Sequence, residues 1–399
     1  MPELKKYQMF IDGQWVDSDT KKTFETLNPE NNKPWAVVPE ASANDVDRAV
    51  KAAQKAFEGE WPKMLARDRA KYLRAIGNKL RENSELLGKI ETIDTEKLYR
   101  ETYQQAKYIA EYYDYYAGLA DKVEGTVLPI DKPNIQAITT RIPIGVIAAI
   151  IPWNSQMFLT ATKVAPALAM GNTVVIKCSE LAPATMFEFA KLVEETGIPK
   201  GVLNVVSGFG DPCGKALTTH NLVEKVAFTG GPETARHIIR NSAENLSEVS
   251  LELGGKIKCG GKRHPFSNEG YYFPPTIIEC DNHNLPAAEN ELFGPVLSVM
   301  KFDTEKEVIE LMNDNQYGLS SGVYTSDLAR GMRVSNAIRA GITFVNTYRL
   351  ISPSAPFGGI KDSGYGKEAG IDSIKDYTRV KTTWFYTSDE PSLDPFSIR

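Results

Sequence analysis

A chain of 399 residues is long enough for more than one domain and for a core that needs no disulfide staples. Its residues are 42% hydrophobic and 24% charged, as in an ordinary folded protein, and a formal net charge of -5 excludes the basic footprint of a nucleic-acid binder. Cys178, Cys213, Cys259 and Cys280 form neither a CxxC pair nor a disulfide framework, residues 1–14 carry Lys5, Lys6 and Asp12 where a signal peptide would be apolar, and the run IGVIAAIIPW is too short to cross a bilayer. The expected setting is therefore reducing and cytoplasmic, with no membrane partner.

In chain order, residues 7–16 read as two short strands around an Asp-Gly turn. Residues 41–61 form a helix: Ser42 or Asn44 can cap it, and Val46, Val50, Ala53 and Phe57 repeat at helical spacing. More helix follows, with Tyr72, Ile76 and Leu80 on one face, then the tyrosine-rich ETYQQAKYIAEYYDYYAGLADKV, whose rings are packing residues. Residues 125–143 suggest a projecting hairpin across Asp131, Lys132 and Pro133, the kind of free strand edge that pairs with another chain.

From residue 144 apolar strands alternate with helices: GVIAAIIP, NTVVIKCS, GVLNVVSG, VEKVAFTGG and LSEVSLELGG are the strands. Near-continuous apolar strands divided by amphipathic helices mean a parallel sheet covered on both faces, with ligands bound beyond the carboxyl ends of its strands. After Lys256 the rhythm breaks into short strands and turns, then resumes as a smaller α/β unit with a helix over 305–313 and strands in GLSSGVYT and GITFVN.

The stretches IPWN (151–154), GNTVVIKCSELAP (171–183), GFGDPCG (208–214), VAFTGG (226–231), LELGGK (251–256), ENELFGPV (289–296) and PFGGIKDSGYGKE (356–368), in this order, resemble the NAD(P)-dependent aldehyde dehydrogenase superfamily over nearly the whole chain. The resemblance implies an α/β fold: a Rossmann-like cofactor domain (1–124 and 144–252), a second α/β catalytic domain (253–375) and a β-hairpin oligomerisation arm (125–143 and 376–387) that makes homodimers or homotetramers. It implies NAD as cofactor, a small-molecule aldehyde as substrate and no metal.

The implied cofactor site comprises Ile151, Pro152, Trp153, Lys177, Glu180, Gly210, Phe228, Gly230, Gly231, Leu253, Glu291 and Phe293. Lys177 and Glu180 follow a buried strand and match the residues that bind the adenosine ribose. A carboxylate there accepts hydrogen bonds from a diol and repels a 2′-phosphate, which favours NAD over NADP. Gly230 and Gly231 permit a tight turn into a helix whose bare N–H groups suit a pyrophosphate; the family usually has serine at the position of Gly231. Glu291 and Phe293 resemble the residues that hold the nicotinamide half. Asn154 matches the amide donor that stabilises an oxyanion, and Glu252 the general base.

The family's nucleophile is a cysteine several tens of residues beyond the Glu of LELGG, after a Gly-Gln pair. No Gly-Gln-x-Cys occurs here. Cys259 lies between Lys258 and Lys262, which would favour its thiolate, but in the wrong part of the pattern; Cys178, Cys213 and Cys280 read as structural. The expectation is that the catalytic domain is incomplete, with the cysteine-bearing segment missing near 256–257. The expected function is oxidation of an aldehyde to its acid through a thiohemiacetal and thioester. A catalytically inactive dinucleotide-binding or structural relative and an acylating, CoA-dependent aldehyde dehydrogenase are the alternatives.

Overall fold

A computed structural model describes residues 4–131, 134–253, 270, 272–280 and 285–389. Short strands open the chain: β1 (Lys5–Lys6), β2 (Met9–Ile11), β3 (Gln14–Val16), β4 (Thr23–Asn28) and β5 (Lys33–Pro39). Asp12 and Gly13 join β2 to β3 with φ of 52° and 68°, the left-handed pair that a tight hairpin needs. Helices α1 (Ala43–Glu58), α2 (Ala66–Glu82), α3 (Ser84–Thr95), α4 (Tyr99–Tyr108) and α5 (Ala110–Leu119) follow. Ser42 and Asp45 form a reciprocal capping box at the start of α1.

The hairpin β6 (Val127–Leu128) and β7 (Ile135–Pro143) comes next; Lys132 and Pro133 of its turn lie outside the described residues. Then the alternation runs β8 (Val146–Ile150), α6 (Gln156–Ala169), β9 (Thr173–Lys177), α7 (Ala184–Glu194), β10 (Leu203–Val206), α8 (Lys215–Thr218), β11 (Val223–Gly230), α9 (Pro232–Asn245) and β12 (Glu248–Leu253). The remainder is β13 (Thr276–Glu279), α10 (Pro286–Glu289), β14 (Val296–Val299), α11 (Glu305–Asn313), β15 (Ser320–Val323), α12 (Leu328–Ala337), β16 (Ile342–Val345), β17 (Gly364–Tyr365), α13 (Ser373–Asp376) and β18 (Thr378–Tyr386).

The main sheet has the order β17-β12-β11-β8-β9-β10-β2-β3. Its centre, β12 to β10, is parallel, and β17, β2 and β3 are antiparallel at the margins. Successive side chains of a strand point to opposite faces, so β8 divides itself between two cores. Ile147 and Ala149 join the layer built with α2, α3, α5, α6 and α7, while Val146, Ala148 and Ile150 pack with α1, α8 and α9. Both faces are thereby covered, as continuous apolar strands require.

The region expected to be a remnant is an α/β unit in its own right. β13 and β14 run parallel, as do β15 and β16, and the chain then returns to the first unit, β17 pairing with β12 and β18 with β7 along its whole length. Buried contacts secure the return: the Tyr116 hydroxyl bonds the Ser373 hydroxyl at 2.6 Å, and Tyr377 and Ile374 are core residues. The expectation of an incomplete catalytic domain is corrected on this ground and on the family match given below. Ile277 of β13 and Leu297 of β14 face outward, at 73% and 58% exposure.

Candidate active site

The site residues gather at the carboxyl ends of the parallel strands. β8 ends at Ile150, and Ile151 is still buried, its N–H donating to the Lys177 carbonyl at 3.0 Å. Trp153 then turns outward, with its ring edge-on to Phe293 at 5.6 Å between centroids. This contact brings the PWN turn and the ELFG loop together across about 140 residues, a juxtaposition that no local pattern encodes. Asn154 follows Trp153, partly buried, with its Oδ1 atom enclosed and without a hydrogen-bond partner.

Ser155 precedes α6 in the N-cap position, yet its side chain does not cap the helix. It exchanges hydrogen bonds with Gln105, whose Oε1 also accepts from Lys97 at 2.9 Å; Lys97 in turn reaches the buried Glu91 at 3.0 Å. Burial raises the pKa of Glu91, against the pull of Lys97.

Lys177, expected to bind the adenosine ribose, ends β9 and is buried to 5% exposure, its ammonium 3.0 Å from Glu180. Gly210 is exposed, and a Cβ there would meet nothing within 4 Å. Phe228 is buried, while Gly230 and Gly231 carry β11 into α9. Gly231 is the N-cap of that helix and supplies no side-chain bond, as expected where a serine is replaced. A cavity of about 220 Å³ opens between Pro232, Glu233 and Arg236 at the start of α9 and Asn290, Gln316, Tyr317 and Asp362. A larger one, of about 590 Å³, shares Asn290 and Tyr317 with it and is lined in part by Glu291, Met300, Phe302 and Leu311. The backbones of Glu252 and Leu253 end β12 opposite Thr229 and Gly230. Gly254, Gly255 and the Lys256–Ile257 join lie outside the described residues, as does Cys259.

Gly230 yields a direct prediction. A Cβ there would stand 2.4 Å from the tip of the buried Phe228 ring. Gly230→Ala is expected to destabilise the fold by about 1–3 kcal/mol through overpacking, read as a lower urea midpoint; an unchanged midpoint refutes the contact.

Sequence reasoning missed a buried pair beneath the site. Lys163 of α6, with no exposed side chain, is ion-paired with Glu368 and donates to Thr229 Oγ1 at 2.7 Å; Thr162 donates to Glu368 at 2.7 Å. The available signal was a single lysine in the apolar helix TATKVAPALA. Cys178 and Cys213 are buried in the cofactor half, and burial raises both thiols, that of Cys213 to about 12. Cys280 is also buried; it lies one residue past the carboxyl end of β13, with its N–H on the Val299 carbonyl at 2.8 Å. Among the described residues, no group of three or more His, Cys, Asp or Glu gathers that could hold a metal ion, and no helix is long and apolar enough to cross a membrane.

A parallel sheet with a lysine–glutamate pair at one strand end and a glycine turn into an uncapped helix at another is an arrangement that suits a dinucleotide beyond the strand ends. The aldehyde dehydrogenase family profile matches residues 15–259 and 256–383. The chain is 42% identical, over an alignment 490 positions long that spans 99% of it and 100% of the relative, to (Z)-2-((N-methylformamido)methylene)-5-hydroxybutyrolactone dehydrogenase of Acinetobacter baylyi. It is 35% identical to the mitochondrial aldehyde dehydrogenase family 2 member B4 of Arabidopsis thaliana, over 95% of this chain and 88% of that one. A crystal structure of a point mutant of Staphylococcus aureus betaine aldehyde dehydrogenase in complex with NAD+ superposes with a TM-score of 0.93 at 30% identity, covering 100% of both chains. The chain belongs to the aldehyde dehydrogenase family. It is an NAD-dependent aldehyde dehydrogenase.

These findings correct the expectation of a missing nucleophile and segment. The family match holds on both sides of residues 256–257, and the solved relative and this chain cover one another in full. The part beyond the join carries a buried cysteine, Cys280. The sequence places this cysteine at a strand end with no Gly-Gln pair before it, and on that basis it reads as structural.

Proposed function

We propose that the chain oxidises an aldehyde to its carboxylic acid, with Cys280 as the nucleophilic thiol. The observation that carries the reading is the contact of Trp153, next to Asn154 in the chain, with Phe293 at the strand ends that also bear Lys177 and Glu180. These residues fit NAD: an ammonium–carboxylate pair would suit the hydroxyls of a ribose diol, and α9 offers first-turn N–H groups unopposed by a cap side chain. When bound, NAD accepts a hydride.

The residues then divide the remaining work. The Cys280 sulfur adds to the carbonyl carbon as its proton passes to solvent, the carbonyl oxygen taking up the negative charge. The Asn154 amide N–H donates to the oxygen that becomes negative. After oxidation the sulfur holds a thioester, and Glu252 takes a proton from the water that cleaves it, releasing the acid and restoring the thiol. Glu291 and Phe293 hold the nicotinamide half. The names of the relatives support a small polar aldehyde as substrate. The β18-β7-β6 sheet, with Val380, Trp384 and Phe385 exposed, is read as the surface through which copies associate. The free cysteines Cys178, Cys213 and Cys280 suit a reducing compartment such as the cytoplasm.

The test is acyl trapping. Rapid quench with aldehyde and NAD should leave an acyl mass on the peptide containing Cys280, and Cys280→Ser should abolish both the adduct and NADH formation. An adduct on Cys259 instead, or none on any cysteine, overturns the assignment.

A further inference from the structure

The loop that carries the ribose-binding pair is anchored at both ends, and the far anchor comes from a helix outside the site. β9 delivers Lys177, with the loop's first residues tied to β10: the Cys178 N–H donates to the Val206 carbonyl at 3.2 Å. Glu180 follows, and the Ala182 carbonyl accepts from Gln156 at 2.8 Å. The loop then enters α7, whose N-cap position is Pro183, a residue without a capping side chain. The first N–H groups of a helix have no partner within it. One is satisfied from outside: the Ala184 N–H donates to Asp94 Oδ2 at 2.8 Å. The other carboxylate oxygen accepts from Thr26 Oγ1 at 3.2 Å and from Trp35 Nε1 at 3.1 Å.

Asp94 belongs to the last turn of α3 and is 2% exposed. Burial pushes its carboxyl up to about 7, despite three donors that pull the other way. A hydrophobic residue would fill this space without that cost. What it could not do is accept from β4, β5 and the start of α7 together. We propose that Asp94 is a positioning residue for the NAD site: it fixes the start of α7, and thereby the Glu180 carboxylate four residues earlier, relative to the cofactor ribose. The inference rests on the reading of Lys177 and Glu180 as the ribose subsite.

Asp94→Asn keeps shape and volume but replaces one acceptor with an N–H₂ donor, so the Asn side chain cannot accept from both sides at once. The dissociation constant of NAD, measured by calorimetry on the full chain, is expected to rise roughly 3- to 30-fold, with kcat at saturating NAD within about twofold of the parent. Asp94→Ala should weaken NAD further. Lys177→Ala and Glu180→Ala are run beside them. If neither weakens NAD, the subsite reading falls and this inference with it. If they do, and folded Asp94→Asn binds NAD as tightly as the parent, the inference alone falls. Hydrogen exchange on the unsubstituted protein gives an independent arm should the variant not fold. Coupling is reciprocal, so NAD should slow exchange of the peptide containing Ala184; unchanged exchange overturns the proposal.

Discussion

Glu252→Gln is expected to slow steady-state NADH formation by about 10²–10⁴-fold, because the amide keeps the shape of the side chain but cannot take a proton from water. NAD affinity should persist, since Lys177, Glu180 and Glu291 are untouched. If cleavage of the thioester becomes the slow step, mixing with aldehyde and NAD gives one rapid equivalent of NADH followed by a slow phase, with an acyl mass on the protein. A slower burst would mean that Glu252 also deprotonates the thiol. Burst and steady-state rates equal to the parent's across the pH range would dismiss it as the base. The backbone already has a suitable place: residue 252 lies in β12 between Thr229 of β11 and Gly364 of β17, at the sheet's ligand end.

The largest stability effect is expected at Lys163. Lys163→Met leaves Glu368 buried without its cation, and removing one partner of a buried pair costs about 3–5 kcal/mol. Glu368→Leu should cost a similar amount, by stranding the ammonium beside Thr229. The double variant should recover much of the loss, since an apolar pair of similar volume needs no compensating charge. Urea midpoints of the four proteins provide the cycle. Additive losses, or a single substitution costing under about 1 kcal/mol, would show that the pair does not couple as its burial implies.

The parallel sheet was legible because its strands are apolar on both faces: Val146 to Ile150 is buried at every position. The capping box of α1 and the Asp-Gly hairpin were legible because their signals are local. The separation of α4 from α5 at Ile109 was not, for the tyrosine-rich stretch offers helical residues throughout. Lys163 and Glu368 stand 205 positions apart, and Asp94 and Ala184 stand 90 apart. Nothing near either member names its partner. Site residues such as Asn154 and Phe293 entered through resemblance, since an Asn after Trp is by itself a turn residue. The strand-end position of Cys280 was legible in the sequence, but its chemistry was not, because no Gly-Gln pair precedes it.

The chain's return to its first half has a consequence for how the protein comes into being. Glu368, β17 and β18 lie near the end of the sequence but complete structures begun by Lys163, β12 and β7. At a synthesis rate of about 5–20 residues per second, the 205 positions between Lys163 and Glu368 take on the order of 10–40 s to make. Throughout that interval the nascent cofactor half lacks an edge strand and the carboxylate that its buried ammonium pairs with. A ribosome that stalls before residue 364 therefore releases a chain that has every residue proposed to hold NAD but no finished sheet to carry them, a natural client for chaperones and proteases.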